Sequence, residues 1–287
     1  MTALAMPASL AWRSLAAPLR GAQRLDAAPR IPGFRVLREI GTGRRSSAWL
    51  ARELAGDREV VLKVQPASGS TLHHEWSIAA QVAGPHVLQV HGHGRAGGWD
   101  YLVMEHASGG DLAGRMRGGV AASGALQLLA QCARGLAALH GAGLVHRDVK
   151  PANFLLRADG AVVLADFGLA VPAGRADASF SQGAVVGTPR YVAPEQLQGA
   201  PAAAAADVYG LGVLLFEMLC GRPPFGGETL MEILSQHLVA PPPRLAAAHA
   251  RLQPLADALL AKAPSARPAD AIEVLGLLAR GGERDPE

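Results

Sequence analysis

The sequence predicts an α+β fold of two lobes, in which a small antiparallel β-sheet lobe with one helix precedes a larger, mainly helical lobe. Two observations predict this division. Short apolar segments with strand-like alternation, separated by turn residues, occupy the chain from Phe34 to about residue 106. Apolar residues at helical spacing dominate beyond Ser108. Because the two kinds of pattern are segregated along the chain, we expect two lobes with a cleft between them.

Five strands and one helix are expected in the small lobe. The strands are FRVLREI from Phe34, AWLAREL from Ala48, EVVLKV from Glu59, VLQVHGHG from Val87 and YLVMEH from Tyr101. The segment from Leu72 to Val82 has helical spacing and predicts a helix between the third and fourth strands. Turns rich in Gly, Asp and Arg separate the first three strands, so an antiparallel meander is predicted there, with the last two strands completing the sheet.

Helices are expected throughout the larger lobe. A helical apolar stripe includes Leu126, Leu129, Ala133, Leu136 and Leu139. The later segment VYGLGVLLFEML is apolar on every side, which predicts a helix buried in the middle of this lobe. The alanine run at 202–206 before it indicates either a helix start or a linker.

We place the domain at residues 34–280, with the small lobe at 34–105, the large lobe at 106–280 and tails at 1–33 and 281–287. The first tail is rich in Ala, Leu and Arg. Several of its apolar residues, including Trp12 and Leu15, share one helix face, so it is either an amphipathic helix or a loosely ordered tail. No secretory signal is expected, because the arginines follow the apolar stretch and do not lead it.

Composition excludes several classes of function. With 27 basic and 24 acidic residues the net charge is only +3. The sequence has no long basic run, so a nucleic-acid partner is not expected. The longest apolar run is too short to cross a bilayer, so no transmembrane segment is expected. Cys132 and Cys220 lie within apolar helical patterns and are expected to be buried free thiols, which favours a cytoplasmic location.

Histidines are concentrated in the small lobe, and two interpretations remain open. His73, His74, His86, His91 and His93 could form a zinc site, or they could be surface and helix residues. Neither cysteines nor an acidic cluster accompany them, as a zinc site with a satisfied second shell would need, which favours the second interpretation.

Chemistry-bearing motifs follow one another in a fixed order. They are a Gly-rich turn at Gly41–Ser46, VVLK ending at Lys63, Glu75 in a helical segment, HRDVKPAN from His146 to Asn153, DFG at Asp166–Gly168 and GTPRYVAPE ending at Glu195. Each motif alone is weak, but their order makes chance unlikely. This set resembles the catalytic domain of bacterial serine/threonine protein kinases, and the resemblance covers Phe34 to Ala279.

The resemblance implies roles for four residues of the two central motifs. Asp148 would orient the substrate hydroxyl and accept its proton, and Lys150 would contact the transferred phosphate. Asn153 and Asp166 would hold Mg²⁺, with Mn²⁺ as the alternative metal. Independently of the resemblance, Asp and Asn oxygens are ligands that suit a hard cation such as Mg²⁺.

The resemblance also implies a nucleotide site. Lys63 would hold the α- and β-phosphates of ATP while Glu75 pairs with it. The full set of expected nucleotide-binding residues is Gly41, Gly43, Ser46, Ala48, Lys63, Met104, Glu105, Ala107, Asp111 and Leu155. Ser46 replaces the third glycine of the usual turn, so weaker or slower nucleotide handling is expected. Arg44 and Arg45 at the loop tip either add charge near the phosphates or are simply solvated.

The motifs further imply a choice of hydroxyl and a mode of control. The lysine after the base and Thr188 are typical of serine/threonine kinases. Arg147 before Asp148 often accompanies control by phosphorylation of the activation segment. Ser179 or Ser181 of one copy would then be phosphorylated by a second, associated copy of the chain. The alternative is that these serines are loop residues without a function. Thr188 is expected to contact Asp148 and Lys150.

Two anchoring interactions are also implied. Glu195 would form a buried ion pair with Arg267, and Asp207 would hold the backbone of the HRD loop.

Three function classes therefore remain. The first is ATP-dependent phosphorylation of Ser/Thr hydroxyls on protein substrates (EC 2.7.11.1 type), in bacterial signalling and including autophosphorylation. The second is a pseudokinase scaffold that binds nucleotide and partner proteins without turnover, as the altered Gly-rich turn suggests. A small-molecule kinase ranks last, because it should lack the long activation segment and the APE element present here.

Overall fold

The structure, a computed structural model, describes residues 28–43, 46–67, 71–117, 119–176 and 188–282. It forms two compact units. The first contains the described residues up to Ala80 together with Leu88–Ser108, and the second contains Gln81–Val87 together with the described residues from Gly109 onward. The first unit holds a five-stranded sheet and one helix, whereas the second is mainly helical, so the predicted α+β segregation is confirmed. The predicted tail helix around Trp12, the loop arginines Arg44 and Arg45, and Ser179 and Ser181 lie outside these ranges.

The first unit is built on an antiparallel sheet in the order β1-β2-β3-β5-β4. Its elements are β1 (Phe34–Thr42), β2 (Ser47–Glu53), β3 (Glu59–Pro66), α1 (Thr71–Ala79), β4 (Val90–Ala96) and β5 (Trp99–Glu105). Helix α1 lies between β3 and β4 in the chain and packs on β4 and β5. Strands β1, β2 and β3 form the predicted meander, whereas β5 and not β4 lies next to β3.

The largest differences from the predicted boundaries are at the end of α1 and at the start of β4. Helix α1 ends at Ala79 and not at Val82, because Gly84 and Pro85 soon follow and disfavour helix. Strand β4 begins at Val90 and not at Val87. Val87 is buried and forms an isolated parallel bridge to Leu164 within the second unit. Burial in the second unit, and not a place in the small sheet, therefore explains why position 87 carries an apolar residue.

One face of the small sheet carries an apolar cluster. Its buried members are Ile31, Trp49, Ala51, Val60, Leu62, Val64 and Val103. Ile31 is 3% exposed although it precedes the predicted domain start at residue 34. A single isoleucine among Pro and Arg residues has no periodicity, so the sequence pattern gave no sign that it joins this cluster.

The second unit is organised around one buried helix. Its elements are α2 (Leu112–Met116), α3 (Ala122–Gly141), β6 (Leu144–Val145), β7 (Phe154–Leu156), β8 (Val162–Leu164), β9 (Val171–Pro172), α4 (Pro194–Leu197), α5 (Ala204–Cys220), α6 (Leu230–Val239), α7 (Gln253–Leu259) and α8 (Ala271–Gly282). Helix α3 packs on both α5 and α8. The short strands pair as β6-β9 and β7-β8, both antiparallel.

Helix α5 is buried along nearly its whole length, as its continuous apolar sequence predicts. It begins at Ala204, so the alanine run is a helix start. At Gly210 the HRDVKPAN segment lies directly against the helix, since a Cβ on this glycine would be 2.6 Å from the Cβ of Val149. The helix axis and the loop can therefore approach closely only because residue 210 has no side chain.

Both cysteines are free thiols. Cys132 is fully buried in α3, whereas Cys220, at the end of α5, is only partly buried and corrects the expectation that both would be buried. Burial raises the pKa of both thiols, so neither is a ready nucleophile. Among the described residues, no helix is long and apolar enough to cross a membrane.

Candidate active site

Lys63 and Glu75 form a buried ion pair within the first unit. Lys63 Nζ donates to both carboxylate oxygens of Glu75, at 2.9 and 2.7 Å. The residues are only 9% and 3% exposed. Strand β3 supplies the lysine and helix α1 the glutamate, so the pair fixes the helix to the sheet. Burying two charges is costly unless they are paired, which explains why the structure brings them together.

The strand register places two other expected residues of this unit, Gly41 and Ala48, in line with Lys63. Gly41 lies opposite Ala48, Ala48 opposite Lys63, and Lys63 opposite Leu102, so these positions form one row across the sheet. Directly paired residues point to the same face of a sheet. Ala48 therefore shares the face of Lys63 and has a small side chain there.

The Gly-rich turn is closed by a backbone hydrogen bond. The N–H of Gly43 donates to the carbonyl of Ser46 at 2.7 Å, and a Cβ on Gly43 would lie 3.2 Å from that carbonyl oxygen. At the other end of the sheet, Met104 and Glu105 end β5 and Ala107 follows it. The N–H of Glu105 is already bonded to the Gln89 carbonyl at 2.9 Å.

In the second unit, the β7-β8 hairpin brings the expected metal ligands to one end. Phe154 pairs with Leu164, and the N–H of Ala165 donates to the carbonyl of Asn153 at 2.9 Å. Asp166 is the next residue, with its backbone in the left-handed region at φ 63°. That conformation is uncommon for a residue with a side chain and turns the chain sharply at this point. Asn153 and Asp166 are therefore neighbours by register, thirteen positions apart in sequence.

Three donors hold the Asp148 carboxylate. Oδ2 accepts hydrogen bonds from Lys150 Nζ at 2.6 Å and from Asn153 Nδ2 at 3.0 Å, and Oδ1 accepts from the Thr188 hydroxyl at 3.1 Å. Asn153 Nδ2 also donates to the Asp148 carbonyl at 2.8 Å. Both amide hydrogens of Asn153 are thus used inside the loop, which leaves its amide oxygen as the atom that can coordinate a cation. The expected contact of Thr188 with Asp148 is present.

Asp207 of α5 anchors the backbone of the same loop. Its Oδ2 accepts from the N–H of His146 at 2.7 Å and its Oδ1 from the N–H of Arg147 at 2.8 Å. Arg147 has φ +69°, a strained backbone conformation for arginine. The Asp207 carboxylate stabilises this turn. The expected role of Asp207 in holding the loop therefore agrees with its contacts.

Asp111 has one carboxylate oxygen that is used and one that is not. Oδ1 caps helix α2 by accepting from the N–H of Gly114 at 2.7 Å. Oδ2 is buried and has no hydrogen-bond partner among the described residues. Asp111 also forms an isolated bridge to Leu155, another expected nucleotide-binding residue. A buried unpaired acceptor is costly, so this oxygen suits a ligand hydroxyl such as that of ribose.

Glu195 and Arg267 form the expected ion pair in a fully satisfied environment. Two guanidinium hydrogen bonds go to the Glu195 carboxylate, at 2.6 and 2.8 Å. Three more go to the carbonyls of Ala205, Ala261 and Lys262. These five bonds use all five donors of an arginine side chain. This pair anchors α4 to the segment before α8.

Two of the described histidines in the first unit, His73 and His93, make ring contacts. His93 of β4 packs on Trp76 with ring centroids 4.8 Å apart, and on His73 at 5.7 Å. Within the described ranges, no group of three or more His, Cys, Asp or Glu side chains is arranged to hold a metal ion.

Sequence reasoning did not single out His140 or Gln196. His140 Nε2 lies 3.0 Å from Asp207 Oδ2, and Gln196 Nε2 donates to the Arg147 carbonyl at 3.2 Å. Both residues support the turn that precedes Asp148. The available signal was that His140 is the polar end of the apolar stripe of α3, six residues before His146.

Comparison with known proteins identifies the family. The sequence model of the protein kinase domain family matches residues 34–276 of this chain. The chain therefore belongs to the protein kinase domain family, and the predicted family is confirmed. Members of this family use ATP and a divalent metal ion.

Several bacterial relatives carry kinase names. Serine/threonine-protein kinases drp72 of Corynebacterium efficiens is 34% identical over 89% of this chain and 52% of its own length. Serine/threonine-protein kinase PknL of Mycobacterium bovis is 37% identical over 83% of this chain and 61% of its own. Serine/threonine-protein kinase PkaA of Streptomyces coelicolor is 39% identical over 76% of this chain and 40% of its own. The chain thus spans about half the length of these relatives.

Proposed function

We propose that this chain transfers the γ-phosphoryl group of ATP to serine and threonine hydroxyls of proteins, including its own, in bacterial signalling. The observation that carries the proposal is the Asp148 carboxylate, which is oriented by Lys150, Asn153 and Thr188. Phosphoryl transfer needs a positioned carboxylate and cationic groups more than it needs covalent chemistry. The names of the bacterial relatives support the same activity.

Each unit contains residues with the chemistry that a metal–nucleotide complex needs. When bound, MgATP supplies the phosphoryl group, and its metal neutralises charge on the phosphates. The Asn153 amide oxygen and the Asp166 carboxylate would hold Mg²⁺, with Mn²⁺ as the alternative, because two protein oxygens suffice when phosphates and water complete the coordination. Asp111 Oδ2 would accept from the ribose. Lys63 would hold the α- and β-phosphates, with Glu75 keeping its ammonium in place.

Asp148 would orient the attacking hydroxyl and accept its proton, and Lys150 would place a positive charge beside the same carboxylate. A small cavity beside Asp148 is lined by Arg147, Thr188 and Tyr191 among others. The contact of Thr188 with Asp148 supports a serine/threonine preference, since the hydroxyl donor sits at the reacting carboxylate.

We further propose that activation involves two copies of the chain, one phosphorylating Ser179 or Ser181 of the other. Arg147, directly before Asp148, would contact the new phosphate. We place the domain in the cytoplasm, where ATP is abundant and its two free thiols stay reduced.

The first experiment is intact-mass analysis of the purified chain after incubation with MgATP. Added phosphate in the wild type, but not in Asp166→Asn, supports the proposal, because the variant lacks one metal-binding carboxylate. A rate that rises with protein concentration, and is lost in Ser179→Ala/Ser181→Ala, supports transfer between copies. Binding of MgATP without transfer to itself or to generic Ser/Thr peptides would overturn the proposal in favour of a scaffold without turnover.

A further inference from the structure

His140 connects three helices of the second unit through its two ring nitrogens. It lies at the end of α3, and its side chain is 3% exposed. Nδ1 accepts from the N–H of Ala271, the first residue of α8, at 3.2 Å. Nε2 lies 3.0 Å from Asp207 Oδ2 on α5. A backbone N–H can only donate, so Nδ1 must be the acceptor and Nε2 must carry the hydrogen. One neutral tautomer therefore satisfies both contacts.

The hydrogen bond from His140 sets how the Asp207 carboxylate is used. Oδ2 receives both His140 Nε2–H and the N–H of His146, while Oδ1 receives the N–H of Arg147. Burial raises the pKa of Asp207, but the hydrogen bonds from His140 and His146 outweigh burial, and the net pKa is lowered. A charged carboxylate with three donors has one preferred orientation. The His140 bond thus acts on the strained Arg147 turn without touching it.

We propose that His140 is a positioning residue for phosphoryl transfer, which orients Asp207 and through it the turn that carries Asp148, and which links the start of α8 to this turn. His140 touches neither Asp148 nor the residues expected to bind metal or nucleotide. Its effect should therefore appear in the rate of transfer and not in ATP binding. The activity part of this proposal rests on the function proposed above.

Two substitutions separate the two contacts of His140. The side-chain nitrogen of glutamine lies near the place of Nε2, so His140→Gln keeps a donor for Asp207 but loses the acceptor for Ala271. The side-chain oxygen of asparagine lies near the place of Nδ1, so His140→Asn keeps the acceptor for Ala271 but loses the donor. His140→Ala loses both. His91→Gln, at an exposed histidine of β4, is the control.

The test measures kcat, the KM for ATP and amide hydrogen exchange in the full chain. His140→Asn should lower kcat about 10- to 100-fold with the KM for ATP within about two-fold, because misplacing a positioned group slows chemistry. Exchange at His146 and Arg147 should become faster. His140→Gln should keep kcat within about three-fold, and its faster exchange should appear at Ala271 and the first turn of α8.

Equal loss of kcat in His140→Gln and His140→Ala would overturn the proposal, since His140 would then be needed only for packing. If His140→Asn does not fold, this comparison of His140→Gln with His140→Ala decides. If the wild type transfers no phosphate, the proposed function fails. The exchange data then test the positioning of the turn separately, and unchanged exchange at His146 and Arg147 in His140→Asn would overturn it.

Discussion

Two buried pairs of a cation and a carboxylate, Lys63–Glu75 in the first unit and Arg267–Glu195 in the second, are built differently. In the second unit, Arg267 uses all five of its donors, two on Glu195 and three on backbone carbonyls. In the first unit, the compact ammonium of Lys63 donates two hydrogen bonds to Glu75. Arg267 has no donor left for a ligand, whereas a lysine is a flexible point charge that can serve both a carboxylate and a phosphate. The fully used guanidinium is suited to an anchor, whereas the ammonium is suited to the ligand-binding role predicted for Lys63.

The largest effect should come from Lys63→Met. Loss of a positive charge aimed at the phosphates should lower kcat/KM by about 10²–10³-fold, the range seen when one preorganised donor is removed. The initial rate of peptide phosphorylation, measured over a range of ATP concentrations at saturating peptide, gives kcat/KM for ATP. A variant that keeps more than a tenth of the wild-type kcat/KM would contradict the predicted role of Lys63 in holding the phosphates.

Replacing the glutamate of each pair by glutamine should lower the free energy of unfolding by different amounts in the two units. Glu195→Gln leaves Arg267 buried, charged and without a counter-ion, which should cost about 3–5 kcal/mol in the free energy of unfolding. Glu75→Gln should cost less, because lysine, unlike arginine, can lose its proton when buried. Urea titrations give the two values. A larger stability loss in Glu75→Gln would reverse the comparison between the two units.

A buried neutral group offers a pH test of the second unit. Burial, with Lys262 nearby, lowers the pKa of His237 from 6.5 to about 4. Between these values the unfolded chain binds more protons than the folded one, so stability falls as pH falls from about 6.5 to about 4. His237 alone should account for about 3 kcal/mol of that loss, at 1.36 kcal/mol for each unit of pKa shift. Urea titrations at pH 7 and 4 should therefore show a smaller pH effect in His237→Asn. An equal loss in both proteins would contradict this.

The smallest effect is expected from an exposed pair. Arg95 and Asp100 are 2.5 Å apart across β4 and β5, but the arginine side chain is 66% exposed. Solvent screens such a pair, and holding two side chains together costs entropy. Arg95→Met should leave both the melting temperature and the phosphorylation rate at wild-type values. A clear drop in the melting temperature would mean that distance, and not burial, sets the strength of these pairs.

Much of this organisation follows from the sequence because charge and spacing are local signals. The α+β segregation, the five strands and the buried α5 were predicted from periodicity, and the family from motif order. The sequence also paired Glu195 with Arg267, across 72 positions, through the resemblance and not through any pattern. Which of these residues act in catalysis and binding stays a prediction.

Contacts made by single residues were the least predictable. Ile31 joins the sheet cluster from outside any periodic segment, and Val87 looked like part of a strand although its burial belongs to the other unit. His140 could not be recognised because its partners, Asp207 and Ala271, lie 67 and 131 positions away. Periodicity reports which face is buried, not which distant atom a polar group meets.

Gly210 has a consequence for how this chain can vary. A library with every amino acid at position 210 should return only glycine from a selection for activity, because even a methyl group would meet the Cβ of Val149 at 2.6 Å. Because every residue except glycine carries a Cβ, any tolerated replacement would have to appear together with glycine at position 149. The constraint runs in one direction: a side chain at position 210 requires the change at position 149, so the freedom of a helix residue is set by a loop residue more than sixty positions earlier in the chain.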